Sequence, residues 1–259
     1  MSPSRVAVIT GAASGIGRAC AELFAAKGCG VVAVDLPDAD FGWAGSVDGI
    51  VTIAGDVSDD AANAAAVQLA LDTFGRLDVA VLNAGTVGSP AIEEPGALER
   101  LDRILAINVR GVVSGIRNAA PAMRATGESP AIVATASTSG MGGDPGSWAY
   151  NASKAAVINL VRAAAMDYGV SGIRINAIAP GPTETGMTAG LSAAPELHES
   201  LRRRIPLQRW GLASELAEAA WFLSSPAASF IHGVTLPVDG GLSANAGHFN
   251  LPAQPGEKR

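Results

Sequence analysis

Short apolar runs alternate with longer helix-patterned segments along almost the whole chain. The runs are Val6 to Ile9, Val31 to Val34, Ile50 to Ile53, Val79 to Leu82, Ile132 to Ala134, Ile173 to Ile178 and Val234 to Val238. Most are continuously apolar, the pattern of strands covered on both faces in a parallel sheet. Between them lie stretches such as Val67, Leu71 and Phe74, or Leu98, Leu101, Leu105 and Val112, with helical spacing. Parallel neighbours need crossover connections, which are right-handed. The expected fold is α/β: a Rossmann-type, doubly wound, mainly parallel seven-stranded sheet with helices on both faces, in three layers. No repeat or Pro/Ser-rich linker divides the chain, so 1–259 reads as a single domain. Pro182 to Pro206 reads as an inserted loop with short helices, and the polar tail from Ser243 to Arg259 as irregular, covering a pocket or a neighbouring subunit.

At 259 residues, 48% hydrophobic and 16% charged, the chain can fill a substantial core. A net charge of −6 argues against a nucleic-acid backbone as partner. The only dense basic run, Arg202 to Arg204, is too short for an anionic membrane surface. No apolar stretch reaches spanning length and the N-terminal run is too short for a signal, so a cytoplasmic protein is expected. Cys20 and Cys29 fall outside a CxxC spacing and His198, His232 and His248 are scattered, so neither a metal site nor a disulfide is expected.

After the first predicted strand comes Gly11–Ala12–Ala13–Ser14–Gly15–Ile16–Gly17. Its glycines permit positive φ and let backbone N–H groups approach a pyrophosphate, with a helix N-terminus behind them. Asp35 ends the second predicted strand, 35 − 17 = 18 positions after the last glycine. A carboxylate there accepts hydrogen bonds from ribose hydroxyls and repels a 2′-phosphate. No Arg or Lys stands in the turn or just after Asp35 to offset it, so NAD(H) is favoured over NADP(H).

Tyr150 and Lys154, at i and i+4, share one face of a helix. An ammonium favours the phenolate, bringing a phenol with pKa about 10 toward use as a base for an alcohol, or as an acid for a ketone. The same pair is also common on exposed helices. Ser137 directly follows the predicted strand at Ile132, at the carboxyl edge where open sheets bind ligands, and can steady a substrate oxygen. Thr138 and Ser139 are neighbouring hydroxyls. Asn108 interrupts the apolar face of Leu101, Leu105 and Val112; a buried amide there must be satisfied by backbone or by water.

The Gly-x3-Gly-x-Gly spacing resembles that of the short-chain dehydrogenase/reductase family. So, in order, do Asp56–Val57, Asn83–Ala84–Gly85, Tyr150–Asn151–Ala152–Ser153–Lys154, Asn176 to Gly181, and Val238–Asp239–Gly240–Gly241. The resemblance spans about residues 5–243. It implies a catalytic set of Asn108, Ser137, Tyr150 and Lys154. Ser137 is preferred to its neighbours because it precedes Tyr150 by the family's separation, 150 − 137 = 13. Asn108 would bind a water that links Lys154 to solvent. The cofactor would be held by Gly11, Ser14, Gly15, Ile16 and Gly17, by Asp35 and Leu36, and by Asp56 and Val57 at the adenine. Asn83, Ala84 and Gly85 would line its cleft, with Tyr150, Lys154, Pro180, Gly181, Thr183 and Thr185 toward the nicotinamide. Leu82 and Thr183 depart from the family's usual Asn and Ile or Val.

The resemblance also implies an NAD-dependent oxidoreductase that interconverts a secondary alcohol and a ketone, with Tyr150 as general acid/base. The alternatives are an NADPH-linked 3-oxoacyl reductase and a catalytically silent dinucleotide sensor or scaffold. Substrate contacts would come from Ser137, Tyr150 and Met187, and from Trp148 unless it merely covers the start of its helix, with Met141, Leu191 and Trp210 on flanking segments and Arg202 to Arg204 a carboxylate clamp only if turned inward. The apolar run Ala155 to Val161 and the helix bearing Asn108 would form subunit contacts, in the family commonly within a tetramer. Trp221, Phe222 and Leu223 read as core in a helix capped near Ser214 and Glu215.

Overall fold

The first apolar run becomes β1 (Val6–Thr10), buried at every position and central in the sheet. In chain order there follow α1 (Gly15–Ala26), β2 (Gly30–Asp35), β3 (Ile50–Ala54), α2 (Asp60–Phe74), β4 (Val79–Leu82), α3 (Ala97–Leu105), α4 (Gly111–Thr126) and β5 (Ala131–Thr135). Then come α5 (Trp148–Tyr168), β6 (Arg174–Pro180), β7 (Thr183–Glu184), α6 (Ala189–Ser192), α7 (Pro195–Arg202), β8 (Gly211–Leu212), α8 (Ala213–Ser224) and β9 (Thr235–Val238). The computed structural model describes residues 3–88 and 90–245. The expectation for the tail lies outside the described residues from Ala246 onward, His248 included, as does the side chain of Leu191.

The seven-stranded sheet runs β3-β2-β1-β4-β5-β6-β9, with every neighbouring pair parallel. The chain winds outward from β1 to β3, then crosses back to place β4 on the other side of β1. That reversal opens a crevice between the carboxyl ends of β1 and β4. One face of the sheet packs on α2, α4 and α5, the other on α1 and α8, giving three layers. Phe24 of α1 meets Trp221 of α8 edge to face, with centroids 5.0 Å apart. Cys20 and Cys29 are buried and unbridged, serving as small packing groups.

Several local expectations shift. The edge strands β3 and β9 are only partly buried, because each lacks a neighbour on one side. The helical stretch from Leu98 to Val112 is broken by a π-helical turn, Ala106–Arg110. Ahead of it Ile104 is buried, Leu101 and Leu105 are half-buried and Leu98 is 70% exposed; the extra residue of the turn then shifts the register, and Asn108 and Val112 are buried. The segment after Pro182 opens with β7, which pairs with β8 in a separate two-stranded sheet enclosing α6 and α7. The α8 helix is capped at Leu212, not Ser214: Glu215 accepts the Leu212 N–H at 2.8 Å. Phe222 is not core but 41% exposed, on the outer face of α8.

Gly17 shapes the first turn of α1. A Cβ there would overlap the Gly11 carbonyl and stand 2.7 Å from Asn83 Nδ2. Gly17→Ala should therefore cost about 2 kcal/mol or more, through overpacking against backbone that has nowhere to move, read as a lower urea midpoint with unchanged slope.

Candidate active site

The crevice at the carboxyl edge is built by side chains that tie strand ends together. Thr10 Oγ1 accepts both the Asn83 and Ala84 N–H groups at 3.0 Å. Asn83 Nδ2 donates to Thr10 O at 3.1 Å, and Thr135 Oγ1 donates to Asn83 Oδ1 at 3.1 Å. One asparagine thus links β1, β4 and β5. Gly11 adopts φ +67°, and a Cβ on it would meet Ala84 Cα at 2.9 Å. The glycine turn can lie against the Asn83–Ala84 turn only because Gly11 has no side chain.

Asp35 closes one side of the crevice. Its Oδ2 accepts the Ala13 N–H at 2.9 Å and its Oδ1 the Leu36 N–H at 2.8 Å. These bonds aim the carboxylate across the glycine turn while each oxygen keeps a further lone pair. Beyond it, Val57 packs against Gly111, where a Cβ would approach Val57 Cγ2 to 3.0 Å.

Every residue that the sequence assigned to a cofactor lines one cleft of about 350 Å³, except Gly17, which packs behind the turn. Ser137, Tyr150, Lys154 and Met187 line it too. Asn108 does not; it is fully buried behind it. Trp148 also lies outside, half-buried, with its indole N–H donating to Pro90 O at 2.9 Å. Trp210 is buried and stacked on His198 at 4.6 Å, and Met141 is exposed; neither lines the cleft. Arg202 and Arg203 both pair with Glu199, so they are engaged on α7 and its end. Thr183 O is taken by the Thr188 hydroxyl at 2.6 Å.

Other lining residues were not anticipated, among them Thr86, Arg103, Ile107 and Thr135. Arg103 and Ile107 are four apart on the helix leading to Asn108, a spacing that could have marked them once Asn108 was placed. Among the described residues, Arg103 is the only cleft-lining cation besides Lys154.

Ser137 stands in extended backbone just after β5 and precedes a 3-10 turn, Thr138–Gly140, with its Oγ accepting the Ser139 N–H at 3.1 Å. Lys154 is buried, donates to Thr135 O at 2.7 Å and holds Nζ 5.7 Å from the Tyr150 ring centroid. Burial pushes the Lys154 pKa down to about 8, and pushes the Tyr150 phenol above its ordinary value of 10. The Ser137 hydroxyl, as a hydrogen-bonding neighbour, pulls Tyr150 back down, and the charge of Asp144 pushes it further up. Asn108 is satisfied by protein. Its Oδ1 accepts the Thr86 N–H at 2.8 Å, and its Nδ2 donates to Thr86 O and to Ser153 Oγ, each at 2.9 Å. Ser153 Oγ in turn donates to Tyr150 O at 2.7 Å. A Cβ on Gly85 would lie 3.3 Å from Asn108 Oδ1 and 3.5 Å from Lys154 Nζ, so Gly85 keeps the region between these two open.

Among the described residues, no group of three or more His, Cys, Asp or Glu could hold a metal ion, and no helix is long and apolar enough to cross a membrane.

Comparison with known proteins agrees with this geometry. A family profile described as enoyl-(acyl carrier protein) reductase matches residues 11–243. The chain is 38% identical to 2-(R)-hydroxypropyl-CoM dehydrogenase of Xanthobacter autotrophicus, over 93% of this chain and 99% of that protein. It is 42% identical to cis-4-hydroxycyclohexanecarboxylate dehydrogenase of Sinomonas cyclohexanicum, over 93% of this chain and 97% of the relative. The crystal structure of 3-ketoacyl-(acyl-carrier-protein) reductase from Brucella melitensis complexed with NADH superposes with a TM-score of 0.85 at 37% identity, covering 94% of this chain and 100% of that one. Together with the glycine turn and the Tyr-x3-Lys helix converging on one cleft, these matches show that the chain belongs to the short-chain dehydrogenase/reductase family.

Proposed function

We propose that this chain is an NAD(H)-dependent oxidoreductase that interconverts a secondary alcohol and a ketone, with Tyr150 as general acid/base. The observation that carries the reading is the meeting of Ser137, Tyr150 and Lys154 in the same cleft as the glycine turn and Asp35. The relatives named above all act, by name, on a secondary hydroxyl or the corresponding ketone.

The residues present suit a nicotinamide dinucleotide. Gly11 and Gly15, both at positive φ, leave room for a pyrophosphate at the N-terminus of α1. Asp35, held by Ala13 and Leu36, presents oxygens to ribose hydroxyls. When bound, the nicotinamide supplies the hydride acceptor or donor, and its oxidised ring adds positive charge near the phenol. The protein's own work is orientation and proton handling. Ser137 holds the substrate oxygen, and Tyr150 takes the hydroxyl proton in oxidation or returns it in reduction. Lys154 stabilises the phenolate electrostatically, and the Asn108 side chain, by gripping Thr86 and Ser153, steadies the helix that carries Tyr150 and Lys154. A water-mediated relay past Asn108 to Lys154 is part of the same proposal.

Asp35 weighs against the NADPH-linked 3-oxoacyl reductase, and the complete catalytic set weighs against a silent scaffold. We also assign a homo-oligomer, a tetramer by family resemblance. Apolar residues stand exposed on two separate sides of the sheet: Met166 and Val170 at the end of α5, and Phe222 and Phe230 around α8.

Three outcomes are expected. Tyr150→Phe should lose at least about 100-fold in kcat, followed by NADH absorbance across a panel of secondary alcohols, while NADH binding measured by fluorescence stays within about twofold. Undiminished turnover would refute the mechanism. In paired titrations NADH should bind more tightly than NADPH, and Asp35→Ala should narrow that ratio by at least about tenfold; tighter NADPH binding by the unaltered chain would overturn the cofactor assignment. Light scattering at micromolar concentration should return a multiple of 26.0 kDa; a monomer would remove the oligomer from the reading.

A further inference from the structure

Asp144 lies in the exposed loop between β5 and α5, and it touches both segments that carry the reacting hydroxyls. Its carboxylate Oδ2 accepts a short hydrogen bond of 2.5 Å from Ser139 Oγ, two residues after Ser137. Its backbone carbonyl accepts from Asn151 Nδ2 at 2.9 Å, one residue after Tyr150. The Ser139 N–H in turn donates to Ser137 Oγ at 3.1 Å. That oxygen accepts one hydrogen bond from the Ser139 N–H, and the Ser137 hydroxyl keeps its own hydrogen to donate toward the phenol or a substrate oxygen.

The turn after Ser137 is held at two further points. Thr138 Oγ1 donates to Pro180 O at 3.2 Å. Gly140 lies so close to α5 that a Cβ would meet the Lys154–Ala155 peptide at 2.5 to 2.7 Å. Both of these contacts are electrically neutral. Asp144 is the charged one.

We propose that Asp144 is a positioning residue, whose carboxylate holds the Ser139 turn and whose carbonyl holds Asn151. In this way it sets the separation and hydrogen-bond direction of Ser137 and Tyr150 and places a negative charge beside them. The inference rests on the oxidoreductase reading for the roles of those two hydroxyls. Among the described residues, the charged groups near Tyr150 are Lys154, one turn along its own helix, and Asp144 on the loop, while Arg103 from α3 lines the same cleft. Asp35 and Asp56 line the part of the cleft beyond β1. A negative charge opposes phenolate formation, so neutralising Asp144 lowers the pH at which Tyr150 ionises. Losing the latch, by contrast, costs orientation and appears in kcat.

The test uses a property of this chain: it has only two tyrosines, Tyr150 and Tyr168. In a Tyr168→Phe background, 13Cζ-tyrosine NMR reads the ionisation of Tyr150 directly, with and without NAD⁺ and with no substrate. Asp144→Asn keeps an acceptor oxygen but removes the charge, and should lower the Tyr150 midpoint by about half a pH unit. Ser139→Ala keeps the charge but breaks the latch, and Asp144→Ala removes both the charge and the latch. Each should lower kcat about tenfold with NADH binding unchanged, whereas Asp144→Asn should retain more of kcat than Asp144→Ala. An unmoved midpoint in Asp144→Asn, or kcat within twofold of the parent in both latch variants, would overturn the proposal. A shifted midpoint in a protein that oxidises no alcohol and reduces no ketone would count against the oxidoreductase reading alone.

Discussion

The cleft depends on a set of hydrogen bonds that holds three strand ends at fixed spacing. Thr10, Asn83 and Thr135 sit at or just beyond the carboxyl ends of β1, β4 and β5, and their side chains bond to one another or to the neighbouring backbone. At this edge the sheet ladder has run out, and backbone groups that would otherwise lack partners are satisfied by these side chains. The glycine turn rests on one side of the asparagine and Ser137 emerges two residues beyond Thr135. The glycine turn and Ser137, proposed above to meet cofactor and substrate, are therefore positioned by the same small network. It also explains why Gly17 tolerates so little, since its neighbours are the Gly11 carbonyl and the Asn83 amide.

The second constraint is electrostatic. Lys154 is buried with a carbonyl for a partner and, among the described residues, no carboxylate, so its charge is destabilised and its pKa falls to about 8. Burial likewise disfavours ionisation of Tyr150. Each group is held away from its charged form by the same dry surroundings, and a charge on either stabilises the opposite charge on the other. A site of this kind is poised for proton exchange.

Much of the fold could be read in advance because buried parallel strands leave continuous apolar runs and the first crossover carries its glycines in plain view. The tyrosine and lysine were readable because helical spacing alone puts them on one face. What stayed hidden depended on tertiary contact. The π-helical turn at Ala106–Arg110 has no local signature, and within it Asn108 reaches Thr86 and Ser153 at once. Arg103, on α3 just ahead of that turn, joins the cleft through the same tertiary packing. Trp148 looked available to a substrate, yet its indole N–H is committed to Pro90. The cap of α8 was misplaced by two residues because Glu215 reaches back to a leucine N–H, a bond that needs no polar side chain at the cap. Phe222 follows a buried stripe in sequence but falls on its outer side in space.

The two-residue sheet of β7 and β8 carries a different consequence. It clasps the base of the segment that runs through α6 and α7, so both ends of that segment leave the body at one place. The entropy of closing a loop grows only with the logarithm of its length, so doubling the segment would cost about 0.6 kcal/mol. The segment, which lines the cleft through Met187 and Thr188, can thus be lengthened, shortened or exchanged while the glycine turn, Ser137, Tyr150 and Lys154 keep their geometry. Chains sharing one reaction can in this way come to differ in what they act upon, with almost no toll on folding.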